Sequence, residues 1–245
     1  MTAAEALSLW EQARREIPAR RAAALLAPLP SFPVPADPAR MPVGRRDAHL
    51  MEMRAHLFGP IVRGVATCPA CQQKIEFDTT ITDLQLSHDG PNPEVATAIT
   101  AQVNGYHVIF RLPDTLDLAD TAEFPDVVSA RRHLFERCIV SAHDDAGQSV
   151  APRELPEEVV IAVSARMAEI DAQADLELSL ACPACGTTWR DPFDIGSFFW
   201  SELNEQALSW LGEVHELASA YGWSETEILS LGSARRQAYL EMLRA

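Results

Sequence analysis

The chain has 245 residues, 47% of them hydrophobic, which is enough to bury a sizeable core and too apolar for a disordered polypeptide. Its formal charge is −15. So acidic a surface repels phosphate backbones and argues against nucleic acid as a partner. The start, "MTAAEALSLWEQARRE", lacks the basic and apolar regions of a signal peptide, and no apolar run reaches the ~20 residues of a membrane span. A cytoplasmic protein without membrane insertion is expected.

Residues 3–27 predict helix, with Leu7, Trp10, Ile17, Leu25 and Leu26 as candidate buried positions and a break at Pro18. Prolines at 28, 30, 33, 35, 38 and 42 then exclude helix and central strand, leaving an extended strap. A helix over 44–58 offers Leu50, Met51, Met53, Leu57 and Phe58 as its apolar side and stops at Gly59-Pro60.

Two strands, "IVRGVAT" and "KIEFDTTI", flank the first cysteine pair. Asn104-Gly105 opens the strand "GYHVIFRL". Helices follow around 124–139 and 156–170, the second started by Pro156-Glu157-Glu158, with "HDDAGQS" as a turn between them. "DLELSLAC" alternates Leu176, Leu178 and Leu180 with polar residues, as a half-buried strand does. The remainder is helical: a long helix over 197–220, a short one over 225–231 behind the capping pattern Ser224…Glu227, and a last one from Gly232-Ser233. The fold class is α+β. The expected organisation is N-terminal helices and strap over 1–60, a zinc-ribbon module with an inserted α/β segment over 61–195, and a helical segment over 196–245.

Four of the five cysteines form two copies of Cys-Pro-Ala-Cys, at Cys68/Cys71 and Cys182/Cys185. C-x-x-C puts two thiolates on one turn, within reach of one tetrahedral zinc, and two such turns complete a four-sulfur shell. Proline stiffens each turn. Gly186 frees the chain to leave the second knuckle, whereas Gln72 holds the equivalent place in the first. One structural Zn2+ per chain, held by Cys68, Cys71, Cys182 and Cys185, would clasp a loop of about 110 residues, a closure equivalent to roughly 4–5 kcal/mol on the chain-entropy model. The other readings are two redox disulfides, a catalytic zinc, and a ribbon that binds DNA or RNA. The first lacks a thioredoxin-like context, and the second lacks an open coordination position. The third is opposed by the acidic net charge. Cys138 is expected as a buried thiol. The seven histidines show no ligand spacing, and there is no phosphate loop, nucleophile elbow or dinucleotide fingerprint, so no enzyme is expected.

Taken together, "LWEQARREIPARRAAALL", "MPVGRRDAHLMEMRAHLFGP", the two knuckles, "PFDIGSFFWSEL" and "EVHELASAYGWSETEILSLGSARRQAYLEML" resemble the T-even (T-four) phage family of baseplate hub assembly chaperones, in the version found with bacterial phage-tail-like contractile injection systems. The resemblance spans nearly the whole chain. Its most specific strings are Gly44-Arg45-Arg46-Asp47, the knuckles, and Tyr221-Gly222-Trp223 with Arg235-Arg236 and Tyr239. It implies a non-enzymatic assembly factor or structural component of the baseplate hub, with hub or spike proteins as partners. The alternative is a zinc-ribbon nucleic-acid-binding or transcription-associated protein. Residues 223–243 could pack on the chain's own core, or could dock on a hub protein through Trp223, Arg235, Arg236 and Tyr239.

Overall fold

A computed structural model describes residues 2–26, 37–86 and 98–244. The strap prolines at 28, 30, 33 and 35, and His88, lie outside the described residues. Among these described residues, ten α-helices and seven strands in three small antiparallel sheets make a mixed α+β architecture.

Helix α1 (Ala3–Arg15) opens with a capping box between Thr2 and Glu5. It stops where Pro18 takes the first position of α2 (Pro18–Ala24). Leu7, Trp10, Leu25 and Leu26 are buried as expected, but Ile17 is not, with 55% of its surface exposed. Ile17 is the extended N-cap of α2, so it has left the face that α1 buries. Helix α3 (Val43–Phe58) buries Leu50, Met51 and Met53 and packs Leu57 and Phe58 on the same core.

The largest core joins α1, α2, α3, Val62, Ile81 and Leu84 to the first half of the long helix α8 (Ile195–Tyr221). It therefore draws side chains from near both ends of the chain. The Trp10 indole N–H donates to Asn204 Oδ1 at 3.0 Å, fixing α1 on α8. Arg54, buried in α3, makes a bidentate pair with Glu202 of α8 and donates to the carbonyls of Gly59 and Ile61. With all three of its nitrogens so engaged, the buried guanidinium is matched in charge and hydrogen bonds, as burial demands.

Strands β1 (Ile61–Thr67) and β2 (Lys74–Thr80) form one hairpin, followed by the single turn of α4 (Ile81–Leu84). A second unit holds strands β3 (Ile99–Val103), β4 (Tyr106–Phe110) and β5 (Ile139–Asp144) in that order, covered by α6 (Val127–Cys138) and α7 (Glu157–Ile170). Helix α5 (Thr115–Thr121) joins β4 to α6. The third sheet pairs β6 (Glu177–Ala181) with β7 (Thr188–Pro192). Helices α9 (Glu225–Ser230) and α10 (Ser233–Arg244) fold back on the end of α8, burying Leu217, Ile228 and Leu240 together. Sequence reading had the knuckle strands, β4, β6 and the long helices in place; it did not separate β3, α5 or β5.

The start of α3 is where the helical core meets the inserted unit. Gly44 N–H donates to Asp171 Oδ2 at 2.9 Å, beyond the end of α7. A Cβ on Gly44 would lie 2.2 Å from Asp171 Oδ1 and 2.7 Å from the backbone nitrogen of Ala174. The backbone cannot yield as a flexible side chain would. Gly44→Ala should therefore destabilise the protein by about 1–3 kcal/mol, read as a lowered thermal midpoint; an unchanged midpoint would show that this joint has room to relax.

Candidate metal centre

Each knuckle is made by the hairpin that carries it. In the first, the Cys68 N–H donates to the Gln73 carbonyl and the Gln72 N–H returns to the Cys68 carbonyl, at 2.9 and 3.0 Å. In the second, Cys182 N–H to Thr187 O and Gly186 N–H to Cys182 O repeat the pattern, both at 2.9 Å. Closing the turn requires a positive φ just after the second cysteine. Gly186 supplies +76°, and Gln72 adopts +60° despite its side chain. Two copies of one backbone motif thus present their sulfurs alike, although the sequence puts a whole sheet and several helices between them.

The tertiary fold brings the four sulfurs together. Cys68 Sγ lies 3.7 Å from Cys185 Sγ, and Cys71 Sγ lies 3.6 Å from Cys182 Sγ. All four lie within 4.8 Å of one another. A tetrahedron of sulfurs about 2.3 Å from a central ion has edges of about 3.8 Å, so the spacing is that of a metal-thiolate shell. The close pairs run between knuckles, not within them, and all five cysteines are free thiols. That pattern differs from a redox disulfide inside each C-x-x-C.

Cys68 and Cys182 are buried, while Cys71 and Cys185 reach the surface. Ala66 and Ile75 form the floor with the two inner cysteines, and Phe77, Leu180 and Trp189 wall them. Thr187, through its hydroxyl 3.3 Å from the Cys185 sulfur and through its N–H, draws the Cys185 thiol down to about 6. At Cys71 the Gln73 backbone pulls the same way, but hydrogen bonding with Cys185, Cys182 and Cys68 pushes it up to about 12. Gln73 and Thr187 were not singled out from the sequence. Each stands two residues after the second cysteine of its pair, so laying one knuckle over the other would have found both.

Cys138 takes no part in the cluster. It is fully buried at the end of α6, and burial pushes its thiol up to about 12. Among the described residues no histidine or carboxylate joins the four sulfurs.

A family model described as T4 bacteriophage base plate protein matches residues 32–200, more than half of the chain. The chain belongs to that family. No curated protein and no solved structure matches it. The matched span of this base plate family member contains all four clustered cysteines and the Gly44-Arg45-Arg46-Asp47 string, and it ends inside α8.

That string lies at the joint between the helical core and the inserted unit. Arg46 is buried and donates to Asp47 Oδ1 at 2.7 Å and to the Thr115 hydroxyl at 3.1 Å. Burial pushes the Asp47 carboxyl up to about 6 against the pull of Arg46. Beyond the matched span, Tyr221 stacks on Trp223 with centroids 4.8 Å apart, and Tyr239 meets both edge-on. Arg236 is 4% exposed; it donates to Glu213 Oε2 and to the Leu231 carbonyl. Arg235 is exposed. Ile228 and Leu240 are buried against Leu217, whereas Leu243 and Met242 face outward. No helix of the described residues is long and apolar enough to cross a membrane.

Proposed function

We propose that this base plate family member is a non-catalytic assembly factor or structural component of the baseplate hub of a phage-like contractile tail or injection system, held in shape by one structural zinc ion. The family match supports the baseplate part of this reading. The four-sulfur cluster supports the metal part. Soft thiolate donors at tetrahedral spacing suit Zn2+, and four cysteines leave no open position for a substrate or an activated water. The ion would join the hairpins β1–β2 and β6–β7, and so fix where the inserted unit leaves and re-enters the chain. In this reading zinc supplies shape and no reaction.

The partners would be hub or spike proteins of the same tail. The exposed part of the Tyr221, Trp223 and Tyr239 group, with Arg235 beside it, would be the docking element; Arg236 would hold that element's shape through Glu213. Co-expression with hub and spike proteins tests this. The intact chain should co-purify with one of them at physiological salt, and truncation before Ser233 should abolish co-purification while leaving the metal content unchanged. Equal co-purification by the truncated chain would remove the docking role from this end. Submicromolar binding to duplex DNA at physiological salt, without binding to a hub or spike protein, would favour the nucleic-acid reading instead.

A further inference from the structure

Exposed sheet edges invite pairing, and proteins usually blunt them with charge, proline, bulges or a covering segment. The free-edged strands of both ribbon hairpins carry charges, among them Arg63, Lys74, Asp78, Glu177 and Arg190. In the three-stranded sheet, the β5 edge is covered by the following turn. Asp144 N–H donates to the Gln148 carbonyl, Val150 N–H donates to the Ala142 carbonyl, and His143 bridges to Ser149. Among the described residues the other edge, β3, has none of these devices. Its sequence, Ile-Thr-Ala-Gln-Val, has no charge and no proline, and its register with β4 runs without a bulge from Ile99↔Phe110 to Val103↔Tyr106.

The direction of its hydrogen-bonding groups follows from the turn. Asn104 and Gly105, at φ +47° and +83°, form a two-residue hairpin loop, which makes Val103 and Tyr106 a hydrogen-bonded pair. By alternation Ala101 and Ile99 also bond to β4, and the N–H and C=O groups of Thr100 and Gln102 point outward. Among the described residues nothing pairs with them. Ile99, Ala101 and Val103 pack on the core of the inserted unit, and Thr100 and Gln102 are exposed.

We propose that β3 pairs antiparallel with β3 of a second copy of this chain, about a two-fold axis at Ala101, joining two three-stranded sheets into one. The strand is its own complement in this register. Thr100 faces Gln102 of the second copy, and each exchanges N–H···O=C bonds with the other, so every outward group is used. Ala101 meets Ala101 as a non-hydrogen-bonded pair, where strands approach most closely and a small side chain fits. Apolar residues of both copies stay on the core face and polar ones on the outer face, as a half-buried sheet requires. With a net charge of −15 on each chain, an uncharged contact is the kind that two copies can share. The contact is short, so the association is weak and strengthens as salt screens the repulsion.

Sedimentation and light scattering of the full-length, metal-loaded chain at tens of micromolar test this. The mass should rise from 26.9 kDa towards twice that value with concentration and with moderate salt. Thr100→Lys puts a charge on the edge without touching the core, and Gln102→Pro removes an outward donor from each copy. Both should shift the dimer to monomer while circular dichroism and the thermal midpoint stay as in the parent. Hydrogen exchange adds a site-specific readout. The Thr100 and Gln102 amides should be protected in the parent and exchange fast in Thr100→Lys, while the Ala101 amide stays protected in both. A parent that is monomeric at these concentrations with fast Thr100 and Gln102 amides overturns the proposal. So does a dimer that neither substitution weakens.

Discussion

Replacing Cys182 with serine should lower the metal content from about one zinc per chain to near zero and remove roughly 4–5 kcal/mol of stability. That figure is the closure cost of the loop of about 110 residues that the knuckles clasp. In a chain of this length it corresponds to a fall of roughly 10–15 °C in the thermal midpoint. Cys182 is the informative ligand because it is buried and lies 3.6 Å from Cys71 of the other knuckle. A strong chelator should act on the parent as the substitution does, since binding free energy to a site absent from the unfolded chain is folding free energy. Cys138→Ser is the control. Its thiol is buried at the junction of α6 and β5 and belongs to a different core from the knuckles, so the metal ratio should stay near one. Loss of metal on changing Cys138, or mass spectrometry showing two disulfides in the native protein, would refute the clasp.

Asp117→Asn should cost about 3–5 kcal/mol at neutral pH, the range for removing one partner of a buried ion pair. Asp117 is fully buried at the start of α5. It accepts from Arg111 Nη2 at 2.8 Å, Arg137 Nε at 2.9 Å and the Asp114 N–H at 3.0 Å, and so ties the segment after β4, α5 and α6 together. Burial pushes its carboxyl up, but Arg111, the Asp114 N–H and Arg137 outweigh that and hold it well below the usual carboxylate range. Its contribution is therefore fully present above pH 3.8 and is lost as the pH falls towards the folded value. Asp47 works in the opposite sense. Its folded carboxyl keeps a proton up to about 6, so its share of stability falls as the pH rises from 3.8 to about 6. Urea unfolding across this range should show the parent losing stability steeply below pH 3.8, with Asp117→Asn much flatter there. Parallel curves for parent and variant would mean that Asp117 is not the acid-labile group.

The two knuckles, the long helices and Cys138 as a buried thiol were legible because their signals are local. Cys-Pro-Ala-Cys with a turn residue after it encodes its own backbone, and α8 repeats Phe199, Leu203 and Ala207 at helical spacing over many turns. The capping box at Ser224 and Glu227 likewise needs only four residues, and it forms. The elements that escaped are short or lack contrast. β3 has one small and two polar residues among five. β5 follows Cys138 with no intervening loop, so its apolar start continues the pattern of α6. α5 spans seven residues and is held by the Asp114 cap, by Arg111 just after β4 and by Arg137 of α6, the last too far along the chain for a local window. Ile17 fits the helical spacing, but α1 ends at Arg15, two residues before it and short of the break expected at Pro18.

The residue types and turn geometry of a four-sulfur centre were thus determined by the sequence alone. Only the tertiary structure decided that the two knuckles share one centre, with sulfurs 3.6 and 3.7 Å apart across the long insert. The same holds for the Gly44-Arg45-Arg46-Asp47 string. Its meaning as the joint between the core and the inserted unit depends on Asp171 and Thr115, far along the chain. The physical reason is common to both cases. Backbone torsions and caps are set within a few residues, whereas the meeting of distant segments is set by which apolar faces bury together, and that is a property of the whole fold.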